Sequence, residues 1–123
     1  MAYMLLIHEP QGQRAERGLD EGRAVYERMR RFGDALREEG KLIASESLGS
    51  LATATRVQVR EGRAQRLDGP FAEAKEMVGG FFLLDCASRE EAVAIAERCP
   101  AAEWCTVEVR DLAPCYVDGV RPL

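Results

Sequence analysis

The stretch that decides the fold is "VGGFFLLD", Val78–Asp85. It is the most apolar strand-length run in the chain, and both of its alternating residue sets are apolar. Such a strand sits inside a sheet and needs cover on both faces. Gly79 and Gly80 lie near its start. Adjacent glycines within a strand mark a bulge, or a place where another backbone or a ligand comes close.

Downstream, "SREE" (88–91) reads as a capping box, with Ser88 accepting from an orphan amide and Glu91 reaching back. The helix it opens carries Ala92, Val93, Ile95 and Ala96 and stops before Pro100. "CTVEV" (105–109) alternates as a last strand. Its pattern puts Cys105, Val107 and Val109 on one side, and Trp104, Thr106 and Glu108 on the other. Upstream, "TRVQVR" (55–60) and "RAQRL" (63–67) flank Glu61-Gly62 and read as a hairpin. "KLIASES" (41–47) is a further strand.

Residues 20–39 read as a helix. Asp20 caps it, Val25, Met29, Phe32 and Leu36 recur at helical spacing, and Gly40 follows its end. "HEPQGQRAERG" (8–18) reads as a polar loop, and "YMLLI" (3–7) as a short central strand. The order is therefore β-α-β-(hairpin)-β-α-β. That is an α+β, ferredoxin-like βαββαβ pattern with an inserted β-hairpin, its two helices on one face of one sheet. The expected domain covers residues 1–111. A loose tail, 112–123, carries Pro114, Gly119 and Pro122. Two helices leave one sheet face bare, which predicts a homodimer packed through its sheet faces.

The 123 residues suit one domain, and a net charge of −4 with both signs interspersed argues against a nucleic-acid surface. The Arg-rich "RMRRF" (28–32) is flanked by acids and reads as a solvated helix face. No run approaches the roughly 18 apolar residues of a membrane span, and the start "MAYMLLIHEP" lacks the basic opening of a signal peptide. A cytoplasmic protein is expected. Cys86, Cys99, Cys105 and Cys115 form no C-x-x-C pair and accompany a single histidine, so free thiols and no metal site are expected. No G-x-S-x-G elbow and no phosphate-binding glycine loop occur. No cofactor is implied.

The polar residues before the glycines frame two alternatives. Asp68-Gly69-Pro70-Phe71 has the chemistry of a tight turn, with Phe71 as a core plug. It equally places Asp68 at a strand end facing a cleft, with Phe71 as a pocket wall. Glu73, Lys75 and Glu76 form either a surface turn of mutually satisfied charges or a grip on an anionic ligand. His8, the one imidazole, lies where the first strand is expected to end, as ordinary surface or as a proton carrier. The catalytic candidates are thus His8 as acid/base and Asp68 as its orienting or second titrating group. Lys75 would stabilise developing negative charge.

The run "DGPFAEAKEMVGGFFLLDC" (68–86) resembles the signature of the YCII-related family in its DGPF branch. "YMLLI", "GKLIASESL" (40–48), "TATRVQVREG" (53–62) and "VEVR" (107–110) extend the resemblance over most of residues 1–111. It implies a dimeric α+β barrel of ferredoxin-like type. It also implies a small-molecule enzyme with a His–Asp pair in a cleft for some members, and a link to extracytoplasmic-function sigma factors for the DGPF branch. Two positions depart from the pattern. Ala74 stands where the family commonly has Thr, and the first helix has no His, carrying Met29 and Phe32 nearby. Two functions compete: cofactor-free proton transfer on a small molecule, and a non-catalytic ligand-binding or regulatory module. A purely structural role is the baseline.

Overall fold

The computed structural model describes residues 1–117. A four-stranded antiparallel sheet, in the order β2-β5-β1-β6, is built from β1 (Ala2–Pro10), β2 (Leu42–Ser47), β5 (Glu76–Asp85) and β6 (Thr106–Asp111). Helices α2 (Leu19–Glu38) and α3 (Arg89–Arg98) are the crossovers, and α1 (Gln13–Glu16) is a short turn of helix between β1 and α2. Strands β3 (Thr55–Arg60) and β4 (Arg63–Asp68) form a separate hairpin inserted between β2 and β5. Each crossover skips one strand, which is the split βαβ, ferredoxin-like arrangement that the element order predicts.

The core lies between the sheet and the helices. Alternation in β1 sends Tyr3, Leu5, Ile7 and Glu9 to the helix side, where Leu36, Phe82, Leu84 and Ile95 join them. Leu5, Leu36 and Leu84 are fully buried, each worth about 1.5–3 kcal/mol over an exposed side chain. Phe32 of α2 meets Phe82 edge to face at 5.2 Å. Met4, Leu6, Phe81 and Leu83 point to the opposite face, where no helix lies, and are half-buried among themselves.

Several local expectations change. β1 runs on past the apolar stretch to Pro10 because Glu9 and Pro10 still pair with Met77 and Glu76 of β5. His8 therefore lies within a strand rather than at its end. Gly18 replaces Asp20 as the N-cap of α2, so Asp20 and Glu21 sit in the first turn, where they complement the helix dipole. The box at α3 closes one residue early: Ser88 Oγ accepts from the Glu91 amide at 3.1 Å, but Glu91 Oε2 accepts from the Ala87 amide. Trp104 packs on the helix side beside Cys105, because it ends the 3-10 turn Pro100–Glu103 and has not yet entered the strand alternation. The hairpin turn holds, with positive φ at both Glu61 (53°) and Gly62 (75°). Residues 112–117 form no regular element, whereas Gly119 and Pro122 of the expected tail lie outside the described residues.

Candidate functional site

Between α2 and the helix-side face of the sheet lies a cavity of about 480 Å³. A volume of that order fits a small molecule. Its apolar wall includes Val25, Met29, Phe82 and Trp104. At its polar end sits Glu9, the one charged residue buried among the described residues, with 5% of its surface exposed. An isolated buried carboxylate is costly, so a partner is required. Arg14, five residues on, supplies it. Its Nη2 donates to Glu9 Oε1 at 2.5 Å, and its Nε lies 3.1 Å from both carboxylate oxygens. The same guanidinium donates to the carbonyls of Leu48 (2.8 Å) and Gly79 (3.2 Å), tying β1 to the end of β2 and to β5.

The double glycine makes this pair possible. Ile7 pairs with Gly80 and His8 with Val78, so Gly79 is the extra residue of a bulge. A Cβ on Gly79 would overlap Glu9 Oε1 and come within 3.0 Å of Arg14 Nη2. One on Gly80 would lie 2.9 Å from the Glu46 carbonyl oxygen of β2. Gly79 therefore vacates the volume that the buried carboxylate fills, and Gly80 admits the neighbouring backbone.

The distribution of bonds at Glu9 is unequal. Oε1 accepts from two guanidinium nitrogens, Oε2 from the shared Nε alone. A carboxylate offers about four acceptor sites, so Oε2 keeps capacity for a further donor. Cys105 lines the same space, with its Sγ 3.5 Å from Gln13 Oε1. Burial, and next the charge of Glu9, push its thiol up to about 11. Cys105 is thus a neutral thiol near neutrality and unsuited to nucleophilic attack.

The residues singled out by sequence lie elsewhere. His8 faces the helix-free side of the sheet, its Nε2 2.7 Å from Glu108 Oε1. Asp68 ends β4 and accepts from Thr55 Oγ1 at 2.7 Å. His8 and Asp68 are bonded to different partners and share no hydrogen bond. Phe71 is buried beneath the guanidinium of Arg56, 3.7 Å from the ring centroid. Arg56 also pairs with Glu73 at 2.9 Å, so hairpin and loop are clamped together. The carboxyl of Glu73 is held below its ordinary range by its own backbone amide first and by Arg56 second. Lys75 and Glu76 are exposed. None of the six lines the cavity.

Gly69 explains much of the motif's geometry. Its amide donates to the Ala54 carbonyl at 2.8 Å, and a Cβ there would overlap the Leu51 carbonyl oxygen. The loop is anchored on the other side by Gln11, whose amide donates to Lys75 O at 2.9 Å and whose side chain donates to the Phe71 and Ala74 carbonyls. Sequence reasoning missed Glu9 because the apolar run ends at Ile7. The available signal was parity. Tyr3, Leu5 and Ile7 point inward, and Glu9 continues that set opposite a double glycine.

The model of the YCII-related domain matches residues 1–115. The chain belongs to the YCII-related family. An uncharacterised protein of Rhizobium meliloti (strain 1021) is 40% identical over 87 residues, covering 69% of each chain. Among solved structures, the chain is similar to 5-chloro-2-hydroxyhydroquinone dehydrochlorinase (TftG) from Burkholderia phenoliruptrix AC1100 in complex with 2,5-dihydroxybenzoquinone. That match has a TM-score of 0.55 and 14% identity, and covers 92% of this chain and 94% of the other. At that identity it establishes the shared α+β fold. Among the described residues, no helix of this YCII-related chain is long and apolar enough to cross a membrane.

Proposed function

We propose that the cleft between α2 and the sheet is the site of an enzyme that moves a proton on a small molecule, with Glu9 as the proton-carrying group. The observation that carries this is a carboxylate buried at the end of a cavity, with Oε1 bonded to two nitrogens of Arg14 and Oε2 to one, which leaves Oε2 with spare acceptor capacity. Glu9 Oε2 takes a proton from an O–H or an acidic C–H of the ligand and returns it at another atom of the same conjugated system. The ligand's electron pairs shift accordingly, and nothing is oxidised or reduced. The apolar wall keeps water from competing for that proton. This assigns to Glu9 the part that sequence alone gives to His8, because Glu9 lines the cavity and His8 does not.

The fold neighbour is named for chemistry on a hydroxylated ring, which is in keeping with such a substrate class. The test is turnover of unsaturated lactones and enolisable ketones, which isomerise by proton transfer alone, by the wild-type chain and by Glu9→Gln. Turnover of at least one of these, reduced by roughly 100-fold or more in Glu9→Gln with the fold retained, is expected. No turnover of any of them, or an undiminished rate in the variant, defeats the assignment.

We also propose that the helix-free sheet face is covered by a second copy of this chain. Met4, Leu6, Phe81 and Leu83 make a continuous, half-buried apolar stripe there that no helix covers, and a contiguous apolar patch on a sheet face marks an interaction surface. Sedimentation should give a dimer mass, and Leu6→Lys should halve it. A monomeric wild type refutes the dimer.

A further inference from the structure

Four arginines line the cavity: Arg14, Arg17, Arg30 and Arg37. Three are already matched to carboxylates. Arg14 holds Glu9, Arg30 forks between Glu27 and Asp34, and Arg37 donates to Asp34. Arg30 Nε and Nη2 donate to the two oxygens of Glu27 at 2.9 and 2.6 Å and its Nη1 donates to Asp34 Oδ2 at 2.7 Å, so that guanidinium is fully engaged. Arg17 has no carboxylate partner among the described residues. It is half-buried at the end of α1, with extended backbone (φ −90°, ψ 141°), and its amide is fixed on the Arg14 carbonyl at 3.3 Å.

The guanidinium of Arg17 lies 5.7 Å from the centroid of Trp104, which it shares with Arg28 at 5.2 Å. Arg28 is closed off by Glu103, with Nη2 2.6 Å from Oε2. The two cations thus sit on one indole, one neutralised and one with no carboxylate partner among the described residues. Stacking on an aromatic face offsets only part of the cost of desolvating a cation. A planar fork of N–H donors beside a cavity is built to receive an oxyanion.

The cavity is therefore electrically sided. Arg17 offers donors, Glu9 Oε2 offers an acceptor, and Trp104, Met29 and Phe82 supply apolar wall, including a flat indole. An occupant that satisfies all three carries an acidic group at one end, a hydroxyl elsewhere and a planar body. A dianion fits poorly, since Glu9 and Asp34 also line the space. We propose that Arg17 anchors the acidic group of a planar monoanion, a hydroxylated aromatic or enolic carboxylic acid, whose hydroxyl reaches Glu9. This rests on the cleft being the reaction site and adds to it the class of substrate.

The sole tryptophan of the chain stands at the proposed contact, so its fluorescence reports occupancy. Salicylate and its neutral isostere salicylamide are titrated at millimolar concentration into the full wild-type chain, Arg17→Met and Arg17→Lys. Wild type should bind salicylate roughly tenfold or more tightly than salicylamide, the worth of one charge-assisted contact. Arg17→Met should erase that preference by weakening salicylate alone, and Arg17→Lys should restore part of it. Equal affinities in wild type, an unchanged preference in Arg17→Met, or no binding of either compound overturns the proposal. Turnover that falls in Glu9→Gln while the anion preference ignores Arg17 leaves the enzyme assignment standing and removes the substrate class. An Arg17-dependent preference with no turnover removes the enzyme assignment and leaves Arg17 as the anchor of a bound acid.

Discussion

His8 and Glu9 are neighbours on β1 and live in different worlds. Glu9 points toward α2, is almost fully buried, and is held by a guanidinium that also binds two backbone carbonyls. His8 points the other way, remains partly exposed, and meets a single carboxylate that is itself exposed. The strand's two-residue period is the whole cause of the difference. Residue type marks His8 as the natural proton carrier, and position gives Glu9 the cavity. A side chain's chemistry becomes a function only where the fold gives it something to act on.

The most direct way to break the contrast is to take away the space Glu9 occupies. In Gly79→Ala, the new Cβ overlaps the Glu9 carboxylate and crowds Arg14. Overpacking and disturbance of a buried ion pair together should cost about 2–4 kcal/mol in urea denaturation. The decisive control is Glu9→Ala in the same background. If the clash is with the carboxylate, truncating it recovers part of the loss, so the two changes are not additive. Additive losses would show that Gly79 is needed for backbone reasons alone. On the helix-free face, Val78→Ala should cost much less, because Val78 is 37% exposed.

A second pair of neighbours repeats the lesson in the Asp-Gly-Pro-Phe motif. Gly69→Ala drives a Cβ into the Leu51 carbonyl, a backbone atom that cannot swing aside, and should cost about 1–3 kcal/mol. Asp68→Asn changes one exposed hydrogen bond from Thr55 and should cost under about 1 kcal/mol. Thermal unfolding of both variants checks the order. An Asp68→Asn loss equal to that of Gly69→Ala would mean the carboxylate has a structural task beyond Thr55.

Much of the fold was legible because periodicity and punctuation are local signals. The alternation of β3, the positive-φ turn at Glu61-Gly62 and the stop before Pro100 are each written within a few residues. Even the bulge was announced by Gly79-Gly80. The site was less legible because its members meet through register. Whether β1 ends at Ile7 or at Pro10 depends on Met77 and Glu76 some seventy residues away. Without that pairing, Glu9 reads as part of a loop and Arg14 as one solvated arginine among many. Strand parity misplaces Trp104 for a related reason. A 3-10 turn precedes β6, and strand parity does not extend back through it.

Acid offers a gentler probe, acting on an exposed ion pair of α2. The Glu27 carboxyl sits at about 2 in the folded chain, mainly through its hydrogen bond from Arg30, against an ordinary 4.5. A depressed carboxyl contributes stability that is present above the unfolded value and lost as pH falls through the folded one. The melting temperature should therefore decline between about pH 4.5 and about pH 2, and less so in Glu27→Gln than in wild type. Because Glu27 and Arg30 are both well exposed, added salt should shrink the difference. A salt-independent difference would mean that the pair is shielded, as by a bound partner over α2.

The smallest effect expected is at His8, and it sharpens the comparison with Glu9 most cleanly. Imidazole ¹⁵N shifts at fixed pH report which ring nitrogen is hydrogen-bonded, and the single histidine gives an unambiguous signal. Glu108→Gln removes the carboxylate 2.7 Å from Nε2 and should move the Nε2 resonance. Asp68→Asn should leave it in place, because Asp68 is bonded to Thr55 instead. Neither change should alter stability by more than about 1 kcal/mol, since both partners of the His8 pair reach solvent. A His8 signal that follows Asp68 would bring the two sequence candidates together after all, through a contact the isolated chain does not make. The second copy proposed for the helix-free face is then the place to look, because that is the face His8 occupies.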